Sequence, residues 1–170
     1  ARNFTIRAAQ KNYHGVDKPG FIYADTDSIH CDLAPDELVG VVEDSKNFCC
    51  WKFESCWDTA LFVRQKTYIE HVTHENRIPV SEMTDKEGNK REPYYNVKCA
   101  GMPDRSKNLF LQAIGEKESV KDLTDEEQDF VNKKLELTDF KRGLIVPGKL
   151  LPKRIPGGVL LTEVPYEMRF

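Results

Sequence analysis

No apolar run in these 170 residues approaches the ~20 needed to span a bilayer as a helix, so no membrane partner is expected. The opening stretch ARNFTIRAAQ has no apolar h-region, which excludes a secretory leader there, and it lacks an initiator Met, as a piece of a longer protein would. There is no internal repeat and no low-complexity tract. No CxxC spacing occurs among Cys31, Cys49, Cys50, Cys56 and Cys99, and His14, His30, His71 and His74 stand at no zinc-finger spacing. An odd count of five argues against a disulfide framework; small buried thiols in a reducing cytoplasm are expected instead. Charge of one sign is also lacking. With 25 Lys and Arg against 28 Asp and Glu, the net charge of −3 does not by itself point to nucleic acid. A chain of 39% hydrophobic and 31% charged residues describes a soluble globular protein of one domain or two small ones.

The charge is unevenly placed, however. Residues 116 to 139 carry nine acids against four bases, whereas residues 140 to 162 carry five bases (Lys141, Arg142, Lys149, Lys153, Arg154) and no acid. A modest total conceals a basic tail.

Periodicity predicts an α+β chain. Ile6, Ala9 and Tyr13 follow i, i+3, i+7, which predicts a helix over residues 2–13 with that stripe inward. HGVDKPG breaks it. FIYADTDSIHCDL, residues 21–33, reads as strand, tight turn, strand, with Ile29, Cys31 and Leu33 alternating against Ser28, His30 and Asp32. Leu38, Val41 and Val42 after Pro35 predict a helix over 35–48. A strand lies in WDTALFVRQKTYIEHV, a polar turn-rich stretch with EGN at its tip follows, and YYNVKCAG is a strand ended by Gly101. A helix starts near Pro103, Thr124 and Glu127 have capping-box spacing before EEQDFVNKKLEL, and the tail forms a β-hairpin around Gly157 and Gly158. The change of character places a boundary near Gly101, dividing the chain into residues 1–100 and 101–170.

Asp25 and Asp27 pose the chemical question. Two like charges about 4 Å apart cost roughly 1 kcal/mol in water and roughly 4 at an effective dielectric of 20. One reading is turn chemistry, since Asp side chains bond nearby backbone and tolerate turn geometry. The other is a cation site. Mg²⁺ takes hard oxygen ligands, one or two carboxylates together with substrate phosphates and water, and a hairpin tip can present them beyond a sheet. A hairpin seldom supplies the whole ligand set, so a further acid from elsewhere is expected. An EF-hand starting at Asp25 fails, because His30 occupies the sixth position, where Gly is needed.

YADTDS, Tyr23 to Ser28, resembles the Y-x-D-T-D-S motif of family B DNA polymerases, with Ala24 where Gly often stands. RQKTYI, Arg64 to Ile69, resembles that family's K-x-Y motif. VKCAGMPDRSK, Val97 to Lys107, is similar to the KCAGM segment of the protein-primed branch found in bacteriophages and linear plasmids, and IPGGVLL, Ile155 to Leu161, to the end of its thumb. The opening helix is similar to the one that precedes the aspartate motif. The likeness covers nearly the whole chain and is weakest over 115–137, which reads as an insertion.

The resemblance implies an antiparallel palm sheet with packed helices over residues 1–100, then a small α/β-hairpin thumb over 101–170. It implies a DNA-directed DNA polymerase that adds deoxynucleotides to a primer 3′ end by two-metal phosphoryl transfer, in the cytoplasm of a host cell if viral. Asp27 matches the metal-binding catalytic aspartate and Asp25 its supporting partner, with Mg²⁺ (or Mn²⁺) as the metal. Tyr23 would pack beside the site, and Thr26 and Ser28 would hold the turn. Lys66 and Tyr68 match the lysine and tyrosine that lie against the primer terminus. If that segment is a strand, Arg64, Lys66 and Tyr68 share a face as a phosphate-gripping surface. The basic tail would hold duplex product, and Lys98 and Arg105 are weaker candidates for the same work. Five phosphate contacts would give a slope of log K against log salt of about −4.5 at most. Partners implied are primer-template DNA, a deoxynucleoside triphosphate, the rest of the polymerase chain and, in the protein-primed branch, a terminal protein. The D-x-x-S-L-Y-P-S and K-x-x-x-N-S-x-Y-G motifs that carry the other metal aspartate and the nucleotide-binding lysine are absent, so the chain alone is expected to lack activity.

Two rivals remain. A nucleotide-sugar glycosyltransferase also places D-x-D after an apolar strand, to hold Mn²⁺ and a diphosphate, but leaves RQKTYI, KCAGM and the basic tail without account. A non-catalytic DNA-binding module would bind DNA indifferently to Asp27→Asn.

Overall fold

The computed structural model describes residues 2–116 and 120–169. Three helices, α1 (Arg2–Asn12), α2 (Asp104–Ala113) and α3 (Asp125–Val131), accompany eight strands: β1 (Phe21–Asp25), β2 (Ser28–Cys31), β3 (Ser55–Arg64), β4 (Thr67–Glu75), β5 (Ile78–Pro79), β6 (Tyr94–Cys99), β7 (Ile145–Ile155) and β8 (Gly158–Glu167). The strands form three separate sheets: the hairpins β1–β2 and β7–β8, and a four-stranded sheet in which β4 bonds to β3, β5 and β6. The pairings β1–β2, β4–β5, β4–β6 and β7–β8 are antiparallel, so the architecture is the expected α+β one. Among the described residues no helix is long and apolar enough to cross a membrane.

The chain forms two compact units, Ala1–Cys56 with His74–Pro79, and Trp57–Thr73 with Val80–Phe170. These units do not coincide with the segments 1–100 and 101–170 expected from the change of sequence character near Gly101.

In the first unit, α1 forms where expected, but its inward face is displaced by one residue. Thr5, Ala8 and Asn12 are buried, while Ile6 and Tyr13 are exposed. Polar side chains can take core positions only when their hydrogen bonds are satisfied. Both are. The Thr5 hydroxyl donates to the Thr26 carbonyl (3.0 Å), and the Asn12 amide donates to the carbonyls of Ala8 (2.8 Å) and Val39 (3.0 Å) while accepting from Val39 N–H (2.8 Å). The same contacts explain a second departure. The helix expected over 35–48 reduces to one 3₁₀ turn, Pro35–Glu37, capped by Glu37 Oε2 accepting from Ala34 N–H. Val39 gives both backbone groups to Asn12, Gly40 sits at φ +70°, and Val39 and Val42 face solvent. An apolar stripe with no surface to cover does not hold a helix.

In the second unit, the core centres on Phe110, Phe140, Ile69, Leu109, Val146 and Met168, all fully buried, with the Phe110 and Phe140 rings 5.5 Å apart. The α3 N-terminus is the capping box read from sequence: Thr124 Oγ1 accepts from Glu127 N–H (3.3 Å) and Glu127 Oε2 accepts from Thr124 N–H (2.9 Å). The helix stops at Val131 instead of running on through NKKLEL, with Lys134 already at φ +51°. The segment read as an insertion is built into this core where it is described. Val120 and Phe130 are buried, and the Gln112 amide pairs with both backbone groups of Val120 (3.2 and 2.9 Å). Residues 117–119 of that segment lie outside the described residues.

The root of the β7–β8 hairpin is fastened to α2. Ser106 Oγ donates to the Pro147 carbonyl (2.6 Å), and Gly148, at φ +91°, leaves room for the Arg105 and Leu109 side chains that a Cβ would meet at 3.3 Å. Beyond this root, residues 150 to 163 are exposed. The five cysteines are free thiols. Burial pushes the Cys31 thiol up to about 11, with Asp32 adding to the effect.

Candidate active-site hairpin and nucleic-acid surface

The β1–β2 register pairs Tyr23 with His30, Ala24 with Ile29 and Asp25 with Ser28, leaving Thr26-Asp27 as a two-residue turn. The aspartates therefore sit at the end of β1 and at the tip of the hairpin. Thr26 adopts φ +48°, an uncommon conformation for a β-branched residue. Three hydroxyls brace it. Thr5 Oγ1 donates to the Thr26 carbonyl (3.0 Å), Thr26 Oγ1 donates to Asp25 Oδ1 (3.0 Å), and Ser28 Oγ donates to the Asp25 carbonyl (3.1 Å). The Tyr23 ring lies 5.5 Å from that of His30. Asp27 is exposed, and among the described residues its carboxylate accepts no hydrogen bond from a protein group.

The donor set is two hard carboxylates, suited to Mg²⁺ or Mn²⁺ but too few to enclose it. Among the described residues no group of three or more His, Cys, Asp and Glu comes together.

RQKTYI does not lie on one strand. Arg64 ends β3, Gln65 and Lys66 form the turn, and Thr67 opens β4. The face-sharing of Arg64, Lys66 and Tyr68 is accordingly wrong as a strand argument: alternation applies within a strand, and here the chain reverses. Lys66 stands at the apex with φ +57°, a position where glycine would be unstrained. Tyr68 points from β4 on the same face as its cross-strand partner Lys98 on β6, and its ring stacks on Phe62 at 5.2 Å. Sequence reasoning missed Phe62, whose pairing depends on a hairpin it did not foresee.

The basic candidates divide. Arg105 is committed to Glu127, with Nε to Oε1 at 2.5 Å and Nη2 to Oε2 at 2.6 Å, and a further bond to the Asp122 carbonyl at 2.8 Å. Its guanidinium is thereby a structural tie between α2 and α3. The fork holds the Glu127 carboxyl below the usual carboxylate range, against the opposing effect of burial. Lys141 pairs with Asp139 at 3.6 Å. Arg142 is exposed beside Gly143 and Glu167. On the ribbon, the register places Lys149 and Lys153 on one face and Arg154 on the other, two-residue alternation being unbroken from 149 to 155. The Lys149 ammonium lies over the Tyr166 ring, 5.7 Å from its centroid. Tyr166 is itself buried, with its hydroxyl 3.2 Å from Cys99 Sγ, and burial with that contact pushes its phenol up to about 12.

No protein-family model matches the chain. Whole phage DNA polymerases do. The sequence is 29% identical over 172 residues to the DNA polymerase of Bacillus phage phi29, 30% over 171 to that of Bacillus phage B103, and 29% over 169 to that of Streptococcus phage Cp-1. Each alignment covers 99% of this chain but only 22–24% of the relative, so the chain spans about a quarter of the curated relatives it matches. The fold agrees. Phi29 DNA polymerase in complex with primer-template DNA superposes with a TM-score of 0.63 at 28% identity, covering 99% of this chain and 25% of that one. Its ternary complex with primer-template DNA and incoming nucleotides gives 0.61 at 27% identity, with coverages of 99% and 24%. By sequence and by fold, the chain is a homologue of the phi29-type phage DNA polymerases, corresponding along almost all of its length to one segment of them.

Proposed function

We propose that the chain is the aspartate-bearing palm segment and the thumb of a protein-primed family B DNA polymerase, working in its host's cytoplasm. The full-length protein would add deoxynucleotides to a primer 3′ end, with attack on the α-phosphate and pyrophosphate leaving. The observation that carries this is the unengaged Asp27 carboxylate at the tip of a hydroxyl-braced hairpin, within a sequence and fold that follow phi29 polymerase.

Asp27, supported by Asp25, would hold Mg²⁺ or Mn²⁺ shared with the incoming triphosphate. A bound divalent ion would offset the negative charge that develops on the transferred phosphoryl group. The role of the chain's own residues is positional. Thr26 and Ser28 would hold the aspartate turn, Lys66 at the apex of the separate β3–β4 turn and Tyr68 beside Lys98 would lie along the primer terminus, and the ribbon would hold duplex phosphates. A terminal protein would be the primer carrier in this reading.

Two quantitative expectations follow from the placement of the side chains. With Arg105 and Lys141 in ion pairs and Arg154 opposite Lys149 and Lys153, one duplex meets two ribbon cations. Replacing both Lys149 and Lys153 with Gln in the full-length protein should reduce the slope of log K against log salt by about 1.8, measured by DNA binding from 50 to 200 mM salt; an unchanged slope would remove the ribbon from the interface. The 170-residue chain by itself should give no template-dependent extension above background, since it has neither D-x-x-S-L-Y-P-S nor K-x-x-x-N-S-x-Y-G. The decisive test of the proposal is Asp27→Asn in the full-length protein, which should abolish extension and spare DNA binding. Loss of neither would favour a non-catalytic DNA-binding module.

A further inference from the structure

We propose that Thr5 is a positioning residue for the metal-binding aspartates: its hydroxyl, delivered from α1, clamps the Thr26 carbonyl and so sets the direction in which Asp27 projects. The proposal rests on the reading of Asp27 as a metal ligand.

Thr5 is 5% exposed, and its hydroxyl crosses 21 residues of sequence to reach the turn. Here the helix buries Thr5 and Asn12 and leaves Ile6 and Tyr13 to solvent, the reverse of an amphipathic helix driven by apolar area. The arrangement is favourable because both polar side chains bond backbone outside α1, Asn12 at Val39 and Thr5 at the aspartate turn. α1 is thus docked at two points seven residues apart, and one of them is the candidate site.

The turn needs such a clamp. Thr26 is held at φ +48°, and a hairpin of five- and four-residue strands is marginal on its own. The hydroxyls of Thr26 and Ser28 brace Asp25 from inside the hairpin, whereas Thr5 comes from another element. It grips the peptide that leads directly into Asp27. Without it, that peptide can rotate and carry the Asp27 carboxylate away from its outward pose.

The test uses the full-length protein carrying Thr5→Val, which keeps the β-branched shape without the hydroxyl, and Thr5→Ser, which keeps the hydroxyl. Two readouts need no turnover: amide hydrogen exchange at residues 26–28, and Mn²⁺ affinity by EPR titration without nucleotide. Thr5→Val should speed exchange at the turn and weaken Mn²⁺ binding, each by about fivefold, and shift the Mg²⁺ dependence of extension to higher concentration. Primer-template affinity should be unchanged, and Thr5→Ser should restore all three. Wild-type exchange and Mn²⁺ affinity in Thr5→Val would overturn the proposal. So would equal defects in both variants, or exchange that rises throughout α1 as much as at the turn, because either marks a packing role. If Asp27→Asn leaves Mn²⁺ affinity and extension intact, it is the metal reading that fails.

Discussion

Asp27→Asn in the full-length protein is expected to lower primer extension by about 10³-fold while primer-template affinity stays within about threefold. Asparagine keeps the size and turn preference of aspartate and removes only the charge. Asp27 is exposed at the hairpin tip and braces nothing in the fold, so the loss should fall on the chemical step rather than on stability. Asp25 differs, because its carboxylate accepts from the Thr26 hydroxyl and its carbonyl from Ser28. Asp25→Asn should therefore combine a smaller loss of extension, about tenfold, with a measurable change at the turn. Extension assays across Mg²⁺ concentrations, paired with DNA binding by anisotropy, separate the two. Extension by Asp27→Asn at the wild-type rate would remove the two-metal reading.

Arg105→Met should destabilise the chain by about 3 kcal/mol at neutral pH, lowering the thermal midpoint by roughly 6–12 °C. The Glu127 side chain is wholly buried, while that of Arg105 is 42% exposed, so removing the cation strands a buried carboxylate that water cannot reach. The lower end of the range for broken buried pairs applies because one partner is partly solvated. Methionine keeps the aliphatic packing against Gly148 that an alanine would forfeit. The pH dependence has a definite sign. The folded-state carboxyl of Glu127 is held low, so its stabilising contribution is complete above the ordinary carboxylate range near 4.3 and is lost as pH falls through the lower folded value. In Arg105→Met, burial acts with no fork to oppose it and the carboxyl moves up. The deficit should then narrow between pH 7.5 and pH 4, as protonation removes the stranded charge. The double variant Arg105→Met with Glu127→Leu should recover most of the loss. Equal deficits at both pH values would show that the pair is not electrostatically coupled.

Local signals served well where a few neighbouring residues settle the outcome. FIY and SIHC around D-T-D became a hairpin with a two-residue turn, Thr124 and Glu127 closed their capping box, and Gly157 and Gly158 lie where β7 reverses into β8. The motifs YADTDS, RQKTYI and KCAGM led to the phage polymerases on residue identity alone, and the alignments bear that out. Periodicity misled where two phases were available. Ile6, Ala9, Tyr13 and Thr5, Ala8, Asn12 are the same spacing one residue apart, and hydropathy favours the first. The Thr26 and Val39 carbonyls that select the second are distant in sequence. RQKTYI misled for a related reason: a strand and a hairpin apex look alike until Arg64 is known to end one strand and Thr67 to begin the next.

By itself the sequence determined the α+β composition, the D-T-D hairpin, the α3 cap, the terminal ribbon and the kinship with phage polymerases, because each depends on adjacent side chains or on residue identity. The tertiary structure alone decided which face of α1 turns inward, that Thr5 clamps the aspartate turn, and that Arg105 belongs to Glu127. Those outcomes depend on hydrogen bonds between residues about 20 or more apart, whose free energy is realised only once the chain has brought donor and acceptor together.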